Sequence, residues 1–348
     1  MRKDQFESPD YYMVEKLFSE EQILVRDATR QWVKEYVSPI IEDCNLKGVF
    51  PKELIKGIAE IGGFGAILPA KYGGSELDLI SYGLMMQELE RGDSSIRVMC
   101  SIQTSLVMNN IYEHGNDFHK QEFLLKLSKG ELIGSFGLSE PGHGSDPASM
   151  QTRHTIDGDY YNINGSKMWI GNAPFCDIAL VWSKGADNRY SCFIIHRDDP
   201  GFSTSKIDKK WSFRASETGE LIFDNCKVHK KYLLFESDSI QSALSSLNIA
   251  RYAVACGSIG IAMECYDVAL KYSNERTQFG KKISSNQLIQ KKLVDMITEI
   301  TKAQLLNWKL GMMMNDGEAT FEQISMAKRN NVSVAYNVAR NARQILGG

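Results

Sequence analysis

The stretch Phe136-Gly-Leu-Ser-Glu-Pro-Gly-His-Gly-Ser-Asp-Pro147 lies where a helical pattern gives way to a strand pattern, and it decides how the fold is divided. After Leu138, two glycines, two prolines and an aspartate interrupt any regular element. Ser139 and Ser145 bring short hydroxyl groups to a backbone with little bulk. Such a loop suits close contact with a polar, planar or phosphorylated ligand, and it equally suits a plain surface turn between two strands.

Composition limits the class of protein. The chain has 348 residues, 43% of them hydrophobic and 24% charged, which predicts a globular protein with more than one packed unit. A net charge of −3 argues against a nucleic-acid-binding surface and a basic membrane-binding face. The sequence predicts no membrane span, because no apolar run approaches about 18 residues. Residues 1–10 resemble neither a signal nor a transit peptide, which predicts a cytoplasmic protein.

Cysteines and histidines give no metal or hydrolase pattern. The seven cysteines are scattered without a C-x-x-C pair, so they are expected to be small buried side chains rather than ligands or disulfides. The sequence has no H-E-x-x-H, which argues against a zinc hydrolase, and no G-x-S-x-G, which argues against the simplest serine hydrolase. No metal site is predicted.

The first third of the chain has helical periodicity. Apolar residues at spacings of three and four from Glu20 to Leu46 predict a helix whose core-facing stripe includes Leu24 and Tyr36, with a kink at Pro39. The same spacing predicts helices over Leu79–Glu90 and Ile96–Tyr112.

The period changes after Gly134, where short segments rich in β-branched and aromatic residues alternate with Gly, Asp and Asn turns. The predicted strands are Thr152–Ile156, Tyr160–Ile163, Met168–Ile170, Ile178–Trp182, Ser191–Ile195 and Gly219–Phe223. Long helical blocks then follow, over Ser239–Glu275, Ser285–Asn315 and Phe321–Leu346.

This order predicts an α+β fold with three domains. Residues 1–133 form an N-terminal helical domain, residues 134–236 an antiparallel β-barrel or sandwich, and residues 237–348 a helical domain of the four-helix-bundle type. Ligands commonly bind at the junctions of such domains.

Several motifs recur along this plan. No Rossmann fingerprint is present, because Gly142-x-Gly144 lacks the third glycine and the βαβ context. The motifs Lys167-Met-Trp-Ile-Gly-Asn172, Arg276-Thr-Gln-Phe-Gly280 and Arg343-Gln-Ile-Leu-Gly-Gly348 follow the opening loop in this order. Together they resemble the acyl-CoA dehydrogenase family of FAD enzymes over essentially the whole chain. Within the family, Glu90-Arg-Gly-Asp-Ser-Ser-Ile-Arg97 makes the chain most similar to the glutaryl-CoA dehydrogenases.

The resemblance implies FAD and assigns residues to it. One group lines the flavin or its pyrophosphate: Phe136, Gly137, Leu138, Ser139, Gly144, Ser145, Trp169, Ile170 and Gly171. A second group reaches the FAD of a neighbouring subunit: Arg276, Phe279, Gln287, Gln344, Ile345, Leu346, Gly347 and Gly348. A shared site of this kind implies an oligomer, in this family a homotetramer arranged as a dimer of dimers.

The resemblance also implies an acyl-CoA site. Its residues are Glu90, Arg97, Ser101, Ser145, Leu244, Leu247, Asn248 and Arg251. Arg97 lies among apolar or small neighbours, and a buried charge needs a partner. A protein carboxylate such as Glu90 or a ligand carboxylate can meet that need, and the resemblance favours the distal carboxylate of glutaryl-CoA. Arg276 and Arg251 can also be solvated charges at helix ends.

The implied reaction is α,β-dehydrogenation of an acyl thioester, with decarboxylation to crotonyl-CoA for a glutaryl group and electrons passed to an electron-transfer flavoprotein. The family's catalytic glutamate is expected beyond Gly348, so no catalytic base is named in this chain. Gly171 stands where many members have threonine, and Val98 where some glutaryl-CoA enzymes have serine. A short-chain acyl-CoA oxidase, and a flavin or acyl-CoA-binding module without turnover, are the alternatives.

Overall fold

The structure is a computed structural model that describes residues 4–7 and 9–347, so the assignment of Gly348 lies outside the described residues. The chain forms two compact units. The first, here called the helical unit, comprises Met1–Ile41, Asp78–Arg97 and Arg251–Gly348. The second, here called the sheet unit, comprises Glu42–Leu77 and Val98–Ala250.

Helices precede and follow the strands along the chain. They are α1 (Glu20–Trp32), α2 (Ile41–Lys47), α3 (Leu54–Glu60), α4 (Leu79–Gly92), α5 (Ser94–Ser101), α6 (Asn109–His114), α7 (Asp117–His119), α8 (Leu125–Ser128), α9 (Gln241–Ser245), α10 (Asn248–Glu275), α11 (Gln287–Asn315) and α12 (Phe321–Leu346). Short π-helical stretches at Val33–Val37, Ile102–Met108 and Lys120–Leu124 continue α1, α5 and α7.

The strands lie between α8 and α9, apart from one small hairpin before α11. They are β1 (Gly134–Gly137), β2 (Arg153–Asp157), β3 (Tyr160–Gly171), β4 (Ile178–Lys184), β5 (Tyr190–His196), β6 (Phe202–Lys206), β7 (Thr218–His229), β8 (Leu233–Ser237), β9 (Thr277–Gln278) and β10 (Lys281–Lys282). The predicted α+β order of helices, strands and helices is confirmed.

The first helix of the helical unit begins at a capping box in which Ser19 and Gln22 bond each other's backbone. The helical run ends at Val37, before Pro39, and α2 begins at Ile41, so two helices replace the single kinked helix that was predicted. The predicted stripe on α1 is wrong in part. Leu24 and Tyr36 are 69% and 48% exposed, whereas polar side chains on the same run, Gln22, Arg26 and Thr29, are buried.

The three long helices predicted near the end of the chain are present as α10, α11 and α12. Their inward faces form a common core that includes Ile259, Met296 and Val338, each at most 2% exposed. Helix α12 begins at a second capping box, made by Thr320 and Gln323. Apolar burial along three helices of this length stabilises the unit.

The eight-stranded sheet of the sheet unit has the order β6-β7-β3-β2-β4-β5-β8, with β1 beside β4. Most pairs are antiparallel, but β1 runs parallel to β4 and β2 makes one parallel pair with β4, so the prediction of a purely antiparallel sheet is wrong. Two predicted strands are parts of the single strand β3, whose register shifts between Ile163 and Gly165 and between Lys167 and Ile170. Strands β1, β6 and β8 of this sheet were not predicted.

One helical stretch in the described residues, Gln241–Glu275, is long and apolar enough to cross a membrane by length and composition, and 67% of its most apolar window is buried in the protein. A buried core helix passes the same test, so this is weak support for a span. Six of the seven cysteines are buried, as expected. No group of three or more His, Cys, Asp or Glu side chains within residues 4–7 and 9–347 is placed to hold a metal ion.

Candidate active site

Strand β1 brings the first predicted flavin residues to the edge of the Gly-rich loop. Its start is fixed by two side chains, since Gly134 donates its N–H to Oε1 of Gln103 at 2.9 Å and accepts from Nδ2 of Asn172 at 3.1 Å. Beyond Gly134, Phe136 and Leu138 are each 9% exposed. The residues that lead into the loop are therefore buried, and the start of β1 is held by hydrogen bonds.

The Ser139–Ser145 loop follows β1 and turns sharply. Glu140 and His143 exchange two backbone hydrogen bonds, of 3.2 and 3.1 Å. No atom lies within 4 Å of the position that a Cβ would take at Gly142 or Gly144. Gly144 and Ser145 are exposed. The loop thus presents backbone and a hydroxyl to open space, as the sequence suggested.

The second predicted wall element is the end of β3. Trp169 has φ of +64° and is 63% exposed, and it lies within the register shift between Lys167 and Ile170. Ile170 is 3% exposed, so it packs beneath the sheet surface. A bulge re-aims side chains, and here it leaves a large flat ring outside the sheet.

Gly171 is closely packed. A Cβ added there would lie 2.4 Å from Cδ1 of Ile102 and 3.9 Å from Cγ1 of Val98. A threonine at this position would therefore require Ile102 to move. The close approach of Ile102 favours glycine over threonine at this position.

The loop and β3 are bonded to each other. Ser139 donates its hydroxyl to the carbonyl of Met168 at 3.1 Å and accepts the Met168 N–H at its own carbonyl at 3.0 Å. This reciprocal pair joins the first loop residue to the residue before Trp169. The two predicted wall elements are consequently held side by side in the sheet unit.

Sequence reasoning missed Glu140 and Lys167, which lie behind this wall. Their side chains are 4% and 0% exposed, and Nζ of Lys167 donates to Oε1 of Glu140 at 2.8 Å and to the carbonyl of Leu138 at 3.1 Å. Glu140 also accepts the N–H groups of Gln151 and Thr152, at 2.6 and 2.9 Å. Lys167 is one of three buried residues of β3, with Ile163 and Ile170, and its neighbours in the sequence gave no signal of that burial.

The pair is ionised at neutral pH. Burial alone would raise the pKa of Glu140, but the charge and hydrogen bond of Lys167 and the bonds from Thr152 and Gln151 lower this pKa to about 2. Burial lowers the pKa of Lys167 to about 8, because lost hydration outweighs the attraction of Glu140. Both values lie on the charged side of pH 7.

The described wall fits a flavin. Its exposed indole can cover a planar ring, and Ile170 closes the sheet beneath. The open glycines Gly142 and Gly144 leave room for ligand atoms to approach the backbone, while the hydroxyl of Ser145 is exposed. Serine hydroxyls and backbone N–H groups are suitable partners for a pyrophosphate.

Most of the residues predicted to reach a neighbouring subunit lie on the surface of the helical unit. Arg276 precedes the β9–β10 hairpin, and Phe279 at its tip has φ of +52° and is fully exposed. Gln287 is exposed at the start of α11. Near the end of α12, Gln344 accepts a hydrogen bond from Lys292.

The other residues of this predicted group differ in exposure. Ile345 is buried at 4%, so it belongs to the helical core, whereas Leu346 is 39% exposed. Gly347 follows the helix with φ of +95° and is exposed.

Glu90 and Arg97 meet inside the helical unit. The predicted break is present, since Asp93 is extended between α4 and α5 and accepts both the N–H and the hydroxyl of Ser95. The two side chains nevertheless pair, through Nε of Arg97 and Oε2 of Glu90. Arg97 is 7% and Glu90 5% exposed. A protein carboxylate thus answers the buried guanidinium, one of the two possibilities left open by the sequence.

The remaining predicted substrate residues lie in different places. Leu244 and Leu247 are half-buried on and after α9, and Asn248 begins α10. Arg251 belongs to the helical unit, where its guanidinium carbon lies 5.2 Å from the centre of the Phe321 ring. Burial lowers the pKa of Arg251, so this arginine is not a fully solvated charge.

Ser101 is 4% exposed and donates its hydroxyl to the carbonyl of Val98 at 3.3 Å. This bond lies within the α5 helix. Ser101 and Val98 both belong to the sheet unit.

The chain matches acyl-CoA dehydrogenase domains along its length. Residues 19–131 match the N-terminal domain, residues 135–226 the middle domain and residues 240–348 the C-terminal domain. Curated relatives carry several activities. The short/branched chain specific acyl-CoA dehydrogenase of Rattus norvegicus is 32% identical over 95% of this chain and 78% of its own length. The 3-(aryl)acrylate reductase of Clostridium sporogenes is 33% identical over 95% of this chain and 89% of its own.

Solved structures give the same result. A glutaryl-CoA dehydrogenase from Mycobacterium smegmatis, in complex with FADH2, superimposes with a TM-score of 0.94 at 37% identity, covering 97% of this chain and 87% of the other. The superimposed structure and the three matched domains identify the same family. The chain belongs to the acyl-CoA dehydrogenase family of FAD-dependent oxidoreductases.

Proposed function

We propose that this oxidoreductase is a glutaryl-CoA dehydrogenase that converts glutaryl-CoA to crotonyl-CoA and passes its electrons to an electron-transfer flavoprotein. The observation that carries the proposal is the buried guanidinium of Arg97, 7% exposed beside Glu90. Butyryl and branched acyl chains have no group that would use such a cation. A glutaryl chain ends in a carboxylate, which would.

The chemistry of the pair supports a dicarboxylic substrate. Glu90 accepts from Nε of Arg97, and the planar fork of a guanidinium matches the geometry of a carboxylate. The partner carboxylate offsets the cost of burying Arg97 before substrate arrives. Arg97 then orients the far end of the acyl chain, and Glu90 fixes Arg97.

The wall in the sheet unit supplies the cofactor site. Phe136, Leu138, Ser139, Ser145 and Trp169 would hold FAD, which accepts a hydride from the β-carbon of the acyl chain when bound. The exposed indole shields the ring from water, because it offers a broad apolar face. Backbone and hydroxyl groups of the loop bind the polar part.

Further residues are proposed to contact acyl-CoA: Ser101, Leu244, Leu247 and Asn248 of the sheet unit, and Arg251 of the helical unit. Their assignment rests on the family resemblance.

The test compares two substrates on an Arg97 variant. Arg97→Met alone leaves the buried Glu90 without this cation, which destabilises the fold. The double variant Glu90→Gln/Arg97→Met avoids that charge and is therefore used for the test. We expect its kcat/KM for glutaryl-CoA to fall by about 100-fold or more, and that for butyryl-CoA by less than about fivefold. Equal losses on both substrates would remove the carboxylate-binding role. Analysis of the glutaryl-CoA product separates crotonyl-CoA and CO₂ from retained glutaconyl-CoA.

An acyl-CoA oxidase is the competing function. Mixing the substrate-reduced enzyme with air-saturated buffer separates the two, since an oxidase returns to the oxidised state rapidly and releases peroxide. Slow reoxidation in air, with fast reoxidation by an electron-transfer flavoprotein, supports the dehydrogenase. A protein that binds FAD and shifts its spectrum with glutaryl-CoA without bleaching it would be a binding module.

The proposal includes a homotetramer. The exposed residues Arg276, Phe279, Gln287 and Gln344 would reach the FAD of a second copy, and a fully exposed phenylalanine at a hairpin tip suits such a contact. Light scattering of the FAD-loaded protein measures the assembly state.

A further inference from the structure

We propose that the buried Lys167–Glu140 pair is a positioning element for the cofactor: it fixes the Ser139–Ser145 loop against the end of β3, so that the wall is in place before FAD binds. This inference rests on the proposed flavin wall. It assigns a role to two buried side chains that would act through Leu138, Ser139 and Trp169.

The first observation is the number of segments that the pair joins. Lys167 lies on β3, and its Nζ donates to Glu140 in the loop and to the Leu138 carbonyl at the end of β1. Glu140 accepts the N–H groups of Gln151 and Thr152, just before β2. One ion pair therefore ties three separate pieces of backbone to a single point behind the wall.

The second observation is the space made for the lysine. A Cβ at Gly137 would lie 3.1 Å from Cγ of Lys167 and 2.9 Å from Cδ1 of Leu221. The glycine at the end of β1 thus lets the lysine stem pass beneath the strand. Any larger residue at position 137 would push the stem or Leu221 aside.

The third observation is the direct link from the pair to the indole. Lys167 is followed by Met168, which exchanges two hydrogen bonds with Ser139, and then by Trp169 at φ of +64°. Glu140 directly follows Ser139. The ion pair and the two Ser139–Met168 hydrogen bonds therefore join the same two segments at adjacent positions. A positive φ in a tryptophan persists only where the surrounding structure enforces it.

Energetics distinguish a positioning role from a purely structural one. A buried ion pair is weak support for stability, because an apolar pair of similar volume often serves the fold as well. The ion pair differs from an apolar pair in specificity, because its directional hydrogen bonds are satisfied in only one arrangement of the chain. Removing both charges together should spare the fold and loosen the wall.

The experiment uses the FAD-loaded enzyme. In Lys167→Met/Glu140→Leu, neither ion remains, so the core is not left with an unpaired charge. We expect FAD to leave the diluted holoenzyme about tenfold faster than from the wild type, because the wall is no longer pre-organised. Release is followed by free-flavin fluorescence, and the visible circular dichroism of bound flavin should change in shape. The thermal unfolding midpoint of the double variant should fall by no more than that of the control variant Val228→Ala.

The matched control is Val228→Ala. Val228 is fully buried and lies near the end of β7 that is opposite Gly219, the residue that pairs with Ile170. It should lower the unfolding midpoint and leave the FAD release rate within about twofold of the wild type, since β7 residues remote from the wall do not position it. Wild-type release and an unchanged dichroism spectrum in the double variant would overturn the proposal.

A further variant separates this inference from the proposed function. Trp169→Ala should change the flavin dichroism directly. If it changes nothing, the assignment of the wall fails. If it changes the spectrum and the double variant does not, the wall stands and the positioning role of the pair fails.

Discussion

A Cβ atom at Gly257 on α10 would lie 2.7 Å from Oε2 of Glu90, and 3.1 Å from Nε of Arg97. Helix α10 therefore packs against the buried pair with no side chain between them. The glycine is part of the geometry that holds the guanidinium, although the sequence motif around Glu90 and Arg97 does not include it.

Gly257→Ala should disturb the pair. We expect it to lower the free energy of unfolding by about 1–3 kcal/mol, as overpacking in a core does, and to reduce turnover of glutaryl-CoA more than that of butyryl-CoA. Gly311→Ala is the matched control, because its Cβ would lie 2.7 Å from the Tyr252 hydroxyl and 2.8 Å from Cγ1 of Ile80. The control should cost similar stability without changing the ratio of the two activities. An unchanged ratio in Gly257→Ala would contradict the prediction.

Gly171 and Ile102 should be energetically coupled. Gly171→Ala alone should destabilise the protein by about 1–3 kcal/mol, and Ile102→Val alone by about 0.5–1.5 kcal/mol. The double variant should lose less than the two together, because valine lacks the Cδ1 atom that lies 2.4 Å from the new methyl group. Urea unfolding of all four proteins measures the coupling. Gly137→Ala combined with Ile102→Val should be additive, since Gly137 faces Leu221 and Lys167.

Acid stability should depend on Glu140. Its pKa is lowered from 4.5 to about 2, so its contribution is complete above about pH 5 and is lost as the pH falls toward 2. At 1.36 kcal/mol per pH unit, the loss is about 3 kcal/mol as an order of magnitude. Unfolding free energies of wild type and Glu140→Gln, measured from pH 7 to pH 3, should converge in acid. Glu131→Gln, an exposed change, should keep the wild-type slope.

Lys167 should act in the opposite pH range. Its folded pKa, lowered by burial to about 8 from 10.5, means that the unfolded chain binds more protons between these values. The contribution of this group to stability therefore rises with pH over that window. Lys167→Met/Glu140→Leu should remove this rise, and a rise of wild-type size in that variant would assign it to another group.

Phe279 should matter for assembly rather than for the fold of one chain. At φ of +52°, followed by Gly280 at +74°, it occupies a two-residue turn that favours Asn-Gly. Phe279→Asn should leave the thermal unfolding midpoint of the single chain unchanged or raise it, and should weaken the proposed homotetramer. Sedimentation over a range of concentrations gives the assembly constant. A variant that assembles like the wild type would remove Phe279 from the subunit contact.

Periodicity predicted the order of elements well, because helix and strand cores repeat at different spacings. It failed on α1, where Gln22 and Arg26 are buried while Leu24 is exposed. Arg26 pairs with its neighbour Asp27 and with Glu15, and Gln22 bonds Asp78, which lies 56 residues away. Apolar periodicity does not register polar side chains that are buried with a partner, and the contact with Asp78 exists only after folding.

The site was predicted unevenly for the same reason. The open loop follows from its residue types, since glycine and serine leave the backbone accessible, whereas the place of Trp169 beside it was implied only by the family resemblance. The pairing of Glu90 with Arg97 was one of several possibilities, and that of Glu140 with Lys167 was not foreseen. Both depend on which buried charges meet after folding, which residue spacing alone does not determine.

The bonds of Glu140 also decide what this carboxylate cannot do. A general base at neutral pH needs a pKa near 7, and that of Glu140 is about 2. Both of its oxygens already accept hydrogen bonds, from Lys167, Thr152 and Gln151. Glu140 is therefore not suited to act as a general base at neutral pH.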